Sequence, residues 1–221
     1  MPKQNLLKQT KELYRLATMV LSDSAQSLRH TPTYLFTETV DNAQAVLDVG
    51  SGLLADGFAS CILLLNDRNG QNKGYPGASK WKGTLIKDMG VEAKDIIFVR
   101  CDEPLNTLSE AEALVQYTNA RNLHRVIIVA PAFHLVRAFV SMVTAVHCLS
   151  TQGLRVHCQV GTALRWDEEA KHSQGTLKRQ RSELIMTELD RIVRYQSRRL
   201  GSGGLVSTDH VFRYLEWRDD E

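Results

Sequence analysis

Long apolar runs are missing from this sequence, and none approaches the roughly 18–20 consecutive apolar residues that a membrane-spanning helix needs. Near the start, Leu6 and Leu7 are followed by Lys8 and Lys11, too early for the apolar core of a signal peptide. A strong charge of one sign is missing too, because 27 Lys and Arg against 25 Asp and Glu leave a net charge of +2. That balance gives no general reason to expect nucleic acid or an anionic membrane surface as a partner. The sequence therefore predicts a cytoplasmic protein with no membrane partner, and it argues against nucleic acid as a partner.

Cysteine is scarce and widely spaced, occurring at Cys61, Cys101, Cys148 and Cys158. No C-x-x-C pair is present, and in a cytosolic chain these thiols are expected to be reduced. Two of them follow a histidine in apolar surroundings, without the spacing of a zinc site. Because free cysteine is often buried, we expect buried thiols there and predict no metal site. The loop at residues 66–77 matches neither the G-x-G-x-x-G nor the Walker pattern, and the sequence identifies no cofactor.

The remaining composition is that of a folded chain, with 43% hydrophobic and 24% charged residues over 221 positions. This length fits one domain with extensions. Between residues 34 and 160, short apolar runs and amphipathic segments alternate about every 30 residues, which is the repeat of βαβ units. The predicted strands are 34–37, 61–65, 96–99, 126–130 and 156–160. The predicted helices are 5–21, 41–56, 79–89, 107–122, 133–150 and a C-terminal amphipathic helix over 177–193.

Crossovers between βαβ units make neighbouring strands parallel and put helices on both faces of the sheet. We therefore predict a three-layer, Rossmann-like α/β fold with a mainly parallel five-stranded sheet. Residues 1–33 are predicted to form an N-terminal helix and connection, residues 34–200 the α/β domain, and residues 201–221 a closing segment that begins with a flexible Gly-Ser-Gly-Gly break. Glycine costs about 1 kcal/mol relative to alanine inside a helix. Gly50 and Gly52 therefore indicate either close packing of the second helix against the sheet or a break in it.

Open parallel sheets bind ligands at the carboxyl ends of their strands. In this chain the first four strand ends lead into residues 37–42, 66–77, 101–110 and 131–137. Asn42 is the candidate ligand contact in the first of these segments. The second is long and polar, and begins with the candidates Asp67 and Arg68. It is either a phosphate-binding loop or a mobile lid.

The segment A-P-A-F-H-L-V-R-A after the fourth strand places His134 and Arg137 three residues apart in the first turn of a helix, so they share a face. The helix dipole disfavours a cation there, so Arg137 requires a local anion, either a carboxylate of the protein or an anionic ligand. His134 is a candidate catalytic acid or base because its proton equilibrium lies near physiological pH. The alternative is structural: an Arg–carboxylate pair that supports the loop, with His134 as a polar neighbour.

The segment after the third strand contains Asn106, Thr107 and Glu110. Thr107 and Glu110 have the T-x-x-E spacing of a capping box, which alone would explain both residues, and capping is favoured for Thr107. In the functional interpretation, Asn106 and Thr107 contact the ligand and Glu110 is a second catalytic candidate. Glu110 or Glu112 is then the partner of Arg137. For Glu110 the two interpretations stay equally open.

These segments resemble the YdcF/SanA/ElyC family, a bacterial domain family of largely unassigned biochemistry. A-P-A-F-H-L-V-R-A-F (130–139) resembles the family's H-x-x-R-A after a strand, and L-N-T-L-S-E-A-E-A (105–113) is similar to its N/T-rich turn before a helix. Gly90-Val91 before the third strand is a further similarity, whereas the turns F-T-E-T-V-D-N and N-D-R-N-G differ from the family's glycine-rich turns. The resemblance implies a Rossmann-like sheet with a cleft at its carboxyl edge, in which His134 and Arg137 are the best-matching polar residues.

Three functions are compatible with this sequence. The first is an enzyme, a hydrolase or transferase, that acts on a small anionic substrate of a phosphorylated or nucleotide-like kind. The second is a non-catalytic module that binds a nucleotide-type or adenosylmethionine-type ligand in the same cleft. The third is an interaction protein that uses the basic residues on or beside its C-terminal helix: Lys178, Arg179, Arg181, Arg191, Arg194, Arg198 and Arg199.

Overall fold

The computed structural model describes residues 3–24, 28–67, 74–102, 104–150, 153–172 and 175–220. Its α-helices are α1 (Lys3–Leu21), α2 (Val40–Ala55), α3 (Ala78–Lys87), α4 (Thr107–Ala120), α5 (Ala132–Cys148), α6 (Arg181–Gln196) and α7 (Thr208–Asp219). Its strands are β1 (Thr31–Leu35), β2 (Ala59–Asp67), β3 (Ile96–Cys101), β4 (Arg125–Ala130), β5 (Arg155–Val160), β6 (Glu169–Lys171) and β7 (Lys178–Gln180).

The five longer strands form one sheet in the order β3-β2-β1-β4-β5, and every neighbouring pair in it is parallel. The predicted Rossmann-like α/β fold is therefore confirmed. The chain moves from β1 to β2 and β3 on one side and returns to β4 and β5 on the other. The carboxyl ends of β1 and β4 thus flank the point where the strand order reverses, which is where ligands bind in folds of this kind.

Alternation along the strands divides the interior into two cores, one on each face of the sheet. In β1, Tyr34 packs into the larger core with α1, α4, α5 and α7, whereas Leu35 packs into the smaller core with α2 and α3. The same division separates Ile128 from Ile127 in β4. Successive side chains of a strand point to opposite faces, so strands covered on both sides read as continuous apolar runs. Within the described ranges, no helix combines the length and apolarity needed to cross a membrane.

Two features of the strands differ from the prediction. Strand β1 begins at Thr31 and includes Pro32, which had indicated a connection. The register between β1 and β2 shifts between Thr31 and Thr33, and this irregularity accommodates a residue that has no N–H to donate. The polar stretch 165–175 contains β6, which pairs with β7 as an antiparallel hairpin. Strands of three residues without an apolar alternation give almost no sequence signal.

The C-terminal segment is more ordered than predicted. It contains α7, whose N-cap Ser207 accepts a hydrogen bond from the backbone N–H of His210. The predicted flexible break is a packed turn, because a Cβ on Gly204 would lie 2.5 Å from the carbonyl oxygen of Arg198. Gly204 therefore serves a close backbone approach and not the flexibility of a linker.

The prediction of buried thiols holds for Cys158 and is wrong for Cys148, which is exposed at the last position of α5. Of the other two cysteines, Cys101 is buried and Cys61 is half-buried. The apolar residues around Cys148 in sequence belong to the opposite face of an amphipathic helix. Apolar neighbours in sequence therefore did not mean that the Cys148 side chain itself is buried.

Gly50 and Gly52 give a matched pair of stability predictions for α2. A Cβ on Gly50 would lie 2.7 Å from Cδ2 of the buried Leu35, which confirms close packing at this position, whereas a Cβ on Gly52 would meet nothing within 4 Å. We expect Gly50→Ala to destabilise the chain by about 1–3 kcal/mol through overpacking. Gly52→Ala should stabilise it by up to about 1 kcal/mol through helix propensity. Urea unfolding measures both, and a similar change in the two variants would contradict the packing argument.

Candidate functional site

Three polar side chains from three different strand ends meet at the reversal point of the sheet. Glu38 follows β1, Thr107 is the first residue of α4 after β3, and His134 lies in the first turn of α5 after β4. His134 Nδ1 lies 2.5 Å from Glu38 Oε1, and His134 Nε2 lies 3.3 Å from Thr107 Oγ1. We call Glu38, His134 and Thr107 the buried relay. A carboxyl, an imidazole and a hydroxyl in this order can orient a base and move a proton.

Local backbone structure fixes the positions of the relay residues. Pro131 follows β4 and is the N-cap of α5, a position where its missing N–H removes no hydrogen bond. The helix therefore begins directly after the strand, which brings His134 back over the strand end. Asn106 caps α4 by accepting from the backbone N–H groups of Leu108 and Ser109. The capping box is therefore formed by Asn106 and Ser109, and the predicted box of Thr107 and Glu110 is wrong. Asn106 takes the capping role, which leaves the Thr107 hydroxyl to point at His134.

Arg137 has the local anion that its position at a helix N-terminus requires. Its Nε donates to Glu188 of α6, and its Nη1 donates to Thr107 Oγ1. The predicted partners Glu110 and Glu112 are therefore wrong, since Glu188 takes this place. Glu188 also accepts from Arg191 Nη1 at 2.9 Å, so one carboxylate is shared by two guanidinium groups. Arg137 and Glu188 are both buried.

Glu110 is a buried acceptor for the segment that follows β1. Its Oε1 accepts from the Tyr34 hydroxyl at 2.8 Å and from the Thr37 backbone N–H at 2.7 Å, and its Oε2 accepts from the Thr37 hydroxyl at 2.8 Å. Burial raises the pKa of Glu110 to about 7, although the three hydrogen bonds oppose the shift. Glu110 thus holds the backbone just before Glu38, and it does not contact the imidazole of His134.

The other sequence-predicted residues have separate positions. Asn42 is fully buried and joins α2 to the hairpin: its Nδ2 donates to the carbonyl oxygen of Lys171 at 2.7 Å, and its Oδ1 accepts from Arg181 Nε at 3.2 Å. Asp67 is the last residue of β2. Arg68 lies outside the described residues, as does the stretch 68–73 that carried the prediction of a loop or lid.

Burial controls the protonation of the relay. It raises the pKa of Glu38 well above its ordinary value, with the carboxylates of Glu188 and Glu110 acting in the same direction and Arg137 opposing them. Burial also lowers the pKa of His134 well below its ordinary value, and Arg137 adds to that shift. Both shifts favour the uncharged forms. In the uncharged form of the pair, a carboxylic acid donates to Nδ1 and the neutral imidazole carries its hydrogen on Nε2.

The relay is closed to solvent, whereas Arg137 faces a small cavity. Glu38 and His134 have 0% of their surface exposed and Thr107 has 3%, so the open cleft that the resemblance implied is not present above them. A cavity of about 150 Å³ beside the relay is lined by Asn106, Leu108, Arg137, Ser141, Tyr195, Arg198, Gly203 and Leu205. Two cationic and several hydroxyl or amide groups line it, and none of the lining residues is acidic. Asn106 and Arg137, which sequence reasoning selected as ligand contacts, both belong to this cavity.

Glu38 and Glu188 are the functional residues that sequence reasoning missed. Glu38 lies in the first strand-end segment, where Asn42 was chosen instead. Glu188 offered a clearer signal, because it stands between Leu184 and Ile192 on the buried stripe of α6. A carboxylate four residues from each of two core residues must be buried, and a buried carboxylate requires a partner.

Metal ligation and similarity to known proteins give no further assignment. Among the described residues, no group of three or more His, Cys, Asp or Glu side chains is arranged to hold a metal ion. Comparison of the chain with protein-family models and with curated proteins finds no match. The resemblance to the YdcF/SanA/ElyC family therefore stays a prediction that rests on the motifs at residues 105–113 and 130–139.

Replacing Glu110 with Gln is expected to flatten the pH dependence of stability. The folded carboxyl has a pKa of about 7 and the unfolded one its ordinary value of 4.5, so the folded chain keeps a proton that the unfolded chain has lost. The stabilisation of the folded chain by this proton is complete below the pKa of the unfolded state. About 3 kcal/mol of it is lost as the pH rises through the pKa of the folded state. In Glu110→Gln the amide oxygen can still accept from the Tyr34 hydroxyl and the Thr37 backbone N–H, the amide NH2 can donate to the Thr37 hydroxyl, and the side chain does not titrate. Urea unfolding between about pH 5 and 8 measures the difference.

The exposed carboxylate of Glu216 provides the matched control, because Glu216→Gln removes the same kind of group from the surface of α7. Glu110→Ala should cost about 3 kcal/mol or more at every pH, since it leaves buried donors without an acceptor. Equal losses of stability with pH in the wild-type chain and in Glu110→Gln would contradict the assignment.

Proposed function

We propose that this chain is an enzyme, a hydrolase or transferase, that acts on a small anionic substrate of a phosphorylated or nucleotide-like kind. The observation that carries the proposal is the buried relay Glu38–His134–Thr107 at the reversal point of the sheet, with Arg137 touching both Thr107 and a neighbouring cavity. An ordered carboxyl, imidazole and hydroxyl is the arrangement that nucleophilic catalysis requires. The same arrangement recurs on unrelated folds, so it is recognised by its geometry and not by the positions of its residues in the sequence.

The charge balance supports an anionic substrate. Arg137 and Arg191 share the single carboxylate of Glu188, and the pKa shifts favour the uncharged forms of Glu38 and Glu110. Protonation of these carboxyls reduces the negative charge near the two guanidinium groups. An anion in the cavity beside Arg137 would compensate for that loss. Glu38 Oε2, buried and without a hydrogen-bond partner among the described residues, is a further polar atom that a ligand group or water would satisfy.

In the proposed mechanism the Glu38–His134 pair first loses one proton. Ionised Glu38 then accepts from Nδ1–H, and Nε2 accepts the proton of the Thr107 hydroxyl. Thr107 Oγ1 forms a bond to the electrophilic phosphorus or carbonyl carbon, the bond to the leaving group breaks, and His134 passes its proton to that group. Water, or another hydroxyl in a transferase, gives its proton to the same imidazole and displaces the product from Thr107. Arg137 places positive charge beside the reacting oxygen.

Access to the relay requires that a covering element moves. The β6–β7 hairpin is joined to α2 by Asn42, which donates to the carbonyl oxygen of Lys171. Arg181, which follows β7, joins the start of α6 to α2 through Asn42 and Asp41, and to the segment before β6 through Arg165 and Glu168. Within these two strands, Ala170 is the residue that is both apolar and buried. Elements with little apolar burial open at low free-energy cost. The hairpin is therefore the element that we expect to open for the substrate.

A non-catalytic binding module is the second candidate, and the closure of the relay favours it. A second cavity at the carboxyl edge, of about 250 Å³, is open and mostly apolar, with Phe133, Leu164 and Trp166 in its lining. Its mostly apolar lining suits the binding of a flat apolar group, and no reaction is needed there. A ligand that raises the melting temperature and is recovered unchanged would support this candidate. The third candidate, an interaction protein, stays a prediction, and two of its basic residues, Arg181 and Arg191, are paired with Glu168 and Glu188.

Removal of the relay hydroxyl or imidazole should abolish turnover without unfolding the chain. We expect Thr107→Val and His134→Gln each to reduce kcat by about 100-fold or more on any phosphorylated metabolite that the wild-type chain converts. A panel of sugar phosphates and nucleoside mono-, di- and triphosphates, followed by mass spectrometry, is the assay. Thr33→Val is the matched control, because Thr33 is equally buried in β1 and does not contact the relay. A wild-type chain inactive on the whole panel, or full activity in Thr107→Val, would count against the proposal.

The activity of the wild-type chain should rise with pH. The pair Glu38–His134 must lose one proton before Nε2 can accept from Thr107, and burial raises the pKa of Glu38 above its ordinary value. The ascending limb of kcat/KM against pH should therefore lie above the range of an ordinary carboxyl. Glu38→Gln removes the titrating carboxyl and should remove that limb together with most of the activity. An ascending limb that is unchanged in Glu38→Gln would show that another group titrates.

A further inference from the structure

An apolar groove between α1 and α6 takes no part in the proposed reaction. Its volume is about 770 Å³, and none of the relay residues lines it. Its two apolar walls are rows of side chains spaced four residues apart, which are Leu13, Ala17 and Leu21 on α1 and Ile185, Leu189 and Val193 on α6. Rows with this spacing form the ridges and grooves through which helices pack against each other. We call this surface the α1–α6 groove.

Each of the two helices has more apolar surface than the core of this chain buries. Leu16 and Val20 of α1 are buried in the core, as are Leu184 and Ile192 of α6. The two rows that line the α1–α6 groove form a second stripe on each helix, and all six of their side chains are half-buried. A surface helix normally has one apolar stripe, which faces the core. Additional contiguous apolar surface marks an interaction site.

Two large side chains in the lining of the groove are among the most exposed apolar or aromatic residues that the structure describes. Tyr14 of α1 has 76% of its surface exposed, and Met186 of α6 has 59%. Tyrosine and methionine are both enriched in protein–protein interfaces. They are therefore the residues that we expect a partner to cover.

The charges in the lining of the groove complement each other. Asp190 and Arg194 are its two charged residues, and they stand one helical turn apart on α6. Arg194 lies over the ring of its neighbour Tyr195, but neither Asp190 nor Arg194 forms an ion pair with a described residue. If two copies of α6 pack antiparallel about a two-fold axis between these residues, Asp190 of each copy faces Arg194 of the other. Equal numbers of opposite charges thus fit a second copy better than a strongly acidic or basic partner.

The size of the surface is sufficient for a reversible dimer. Helix α6 has 16 residues and is therefore about 24 Å long, and two helices side by side are about 20 Å wide. This face covers roughly 500 Å² on each copy and roughly 1,000 Å² in a pair, which is about the lower limit for a specific interface.

We propose that this chain forms a two-fold symmetric dimer through the α1–α6 groove. Tyr14 and Met186 of each copy pack against the apolar walls of the other, and Asp190 pairs with Arg194 across the axis. In a two-fold interface the same patch serves both copies, so the patch must be complementary to itself. The dimer goes beyond the proposed reaction, because Glu188 lies on the buried side of α6 and not in the groove.

Sedimentation equilibrium of the full chain at about 1–200 μM tests the proposal, and we expect a reversible equilibrium between monomer and dimer. Tyr14→Glu and Met186→Glu should each weaken the dimer by about 100-fold or more, because each buries a carboxylate among apolar side chains. Val40→Glu is the matched control, since Val40 is 65% exposed on α2 and lies outside the groove. It should leave the equilibrium unchanged. Circular dichroism verifies that each variant is folded.

Reversal of the two charges tests the antiparallel pairing. Asp190→Arg and Arg194→Asp should each weaken their own dimer by about tenfold, because like charges then face each other across the axis. An equimolar mixture of the two variants should regain the affinity of the wild-type chain, since each variant supplies the charge that the other requires. Thr107→Val should dimerise as the wild-type chain does, which separates this proposal from the proposed reaction.

Three results would each overturn the dimer. The first is a wild-type chain that stays monomeric over the whole concentration range, in which case the groove has another occupant, such as an amphipathic helix of a different protein. The second is a dimer that Val40→Glu weakens as much as Met186→Glu does. The third is a mixture of Asp190→Arg and Arg194→Asp that associates no better than either variant alone.

Discussion

The pairing of Arg137 with Glu188 is the interaction on which the carboxyl edge of this fold depends. Both groups are buried, and a buried charge is tolerated only if it is paired and hydrogen-bonded. The pair joins α5 to α6, and the same guanidinium fixes Thr107 at the start of α4. Thr107 meets His134, and His134 meets Glu38 after β1. Four elements that are distant in sequence are therefore held by one chain of polar contacts, and removal of Arg137 or Glu188 would leave an uncompensated charge inside.

The burial that orders these groups also sets the chemistry that they can perform. Desolvation favours the protonated form of Glu38 and the neutral form of His134, and in that form of the relay Nε2 carries a hydrogen and cannot accept a proton. Stability and reactivity thus act against each other in the same three side chains. An uncharged relay suits the closed molecule, whereas the proposed reaction needs an ionised Glu38. Opening of the hairpin or binding of an anion beside Arg137 changes the solvation and charge around Glu38, and either event would change the population of the reactive form.

The sequence predicted the large sheet well because β2, β3 and β4 contain continuous apolar runs and the helices between the strands have apolar residues at helical spacing. It also predicted that Arg137 needs an anion, from the helix dipole alone. It could not predict which carboxylate would supply it, since Glu188 is 51 residues away on an element whose docking depends on tertiary packing. Glu38 was hidden for a related reason: the parallel pairing of β1 with β4 places it against His134. The β6–β7 hairpin was missed because short polar strands have no apolar period.

The two edges of the sheet handle positive charge in opposite ways. At the carboxyl edge the cations are buried, and each contacts a carboxylate or a hydroxyl. These specific contacts offset the free-energy cost of burying a charge. At the amino edge, Arg29 and Arg125 are exposed, and solvent screens the repulsion between neighbouring cations. Arg155, the register partner of Arg125, donates to the carbonyl oxygen of Arg218 and lies over the ring of Trp217, so α7 takes up one of the two guanidinium groups. The carboxyl edge therefore needs specific polar partners for its cations, whereas the amino edge combines exposure to solvent with contacts to α7.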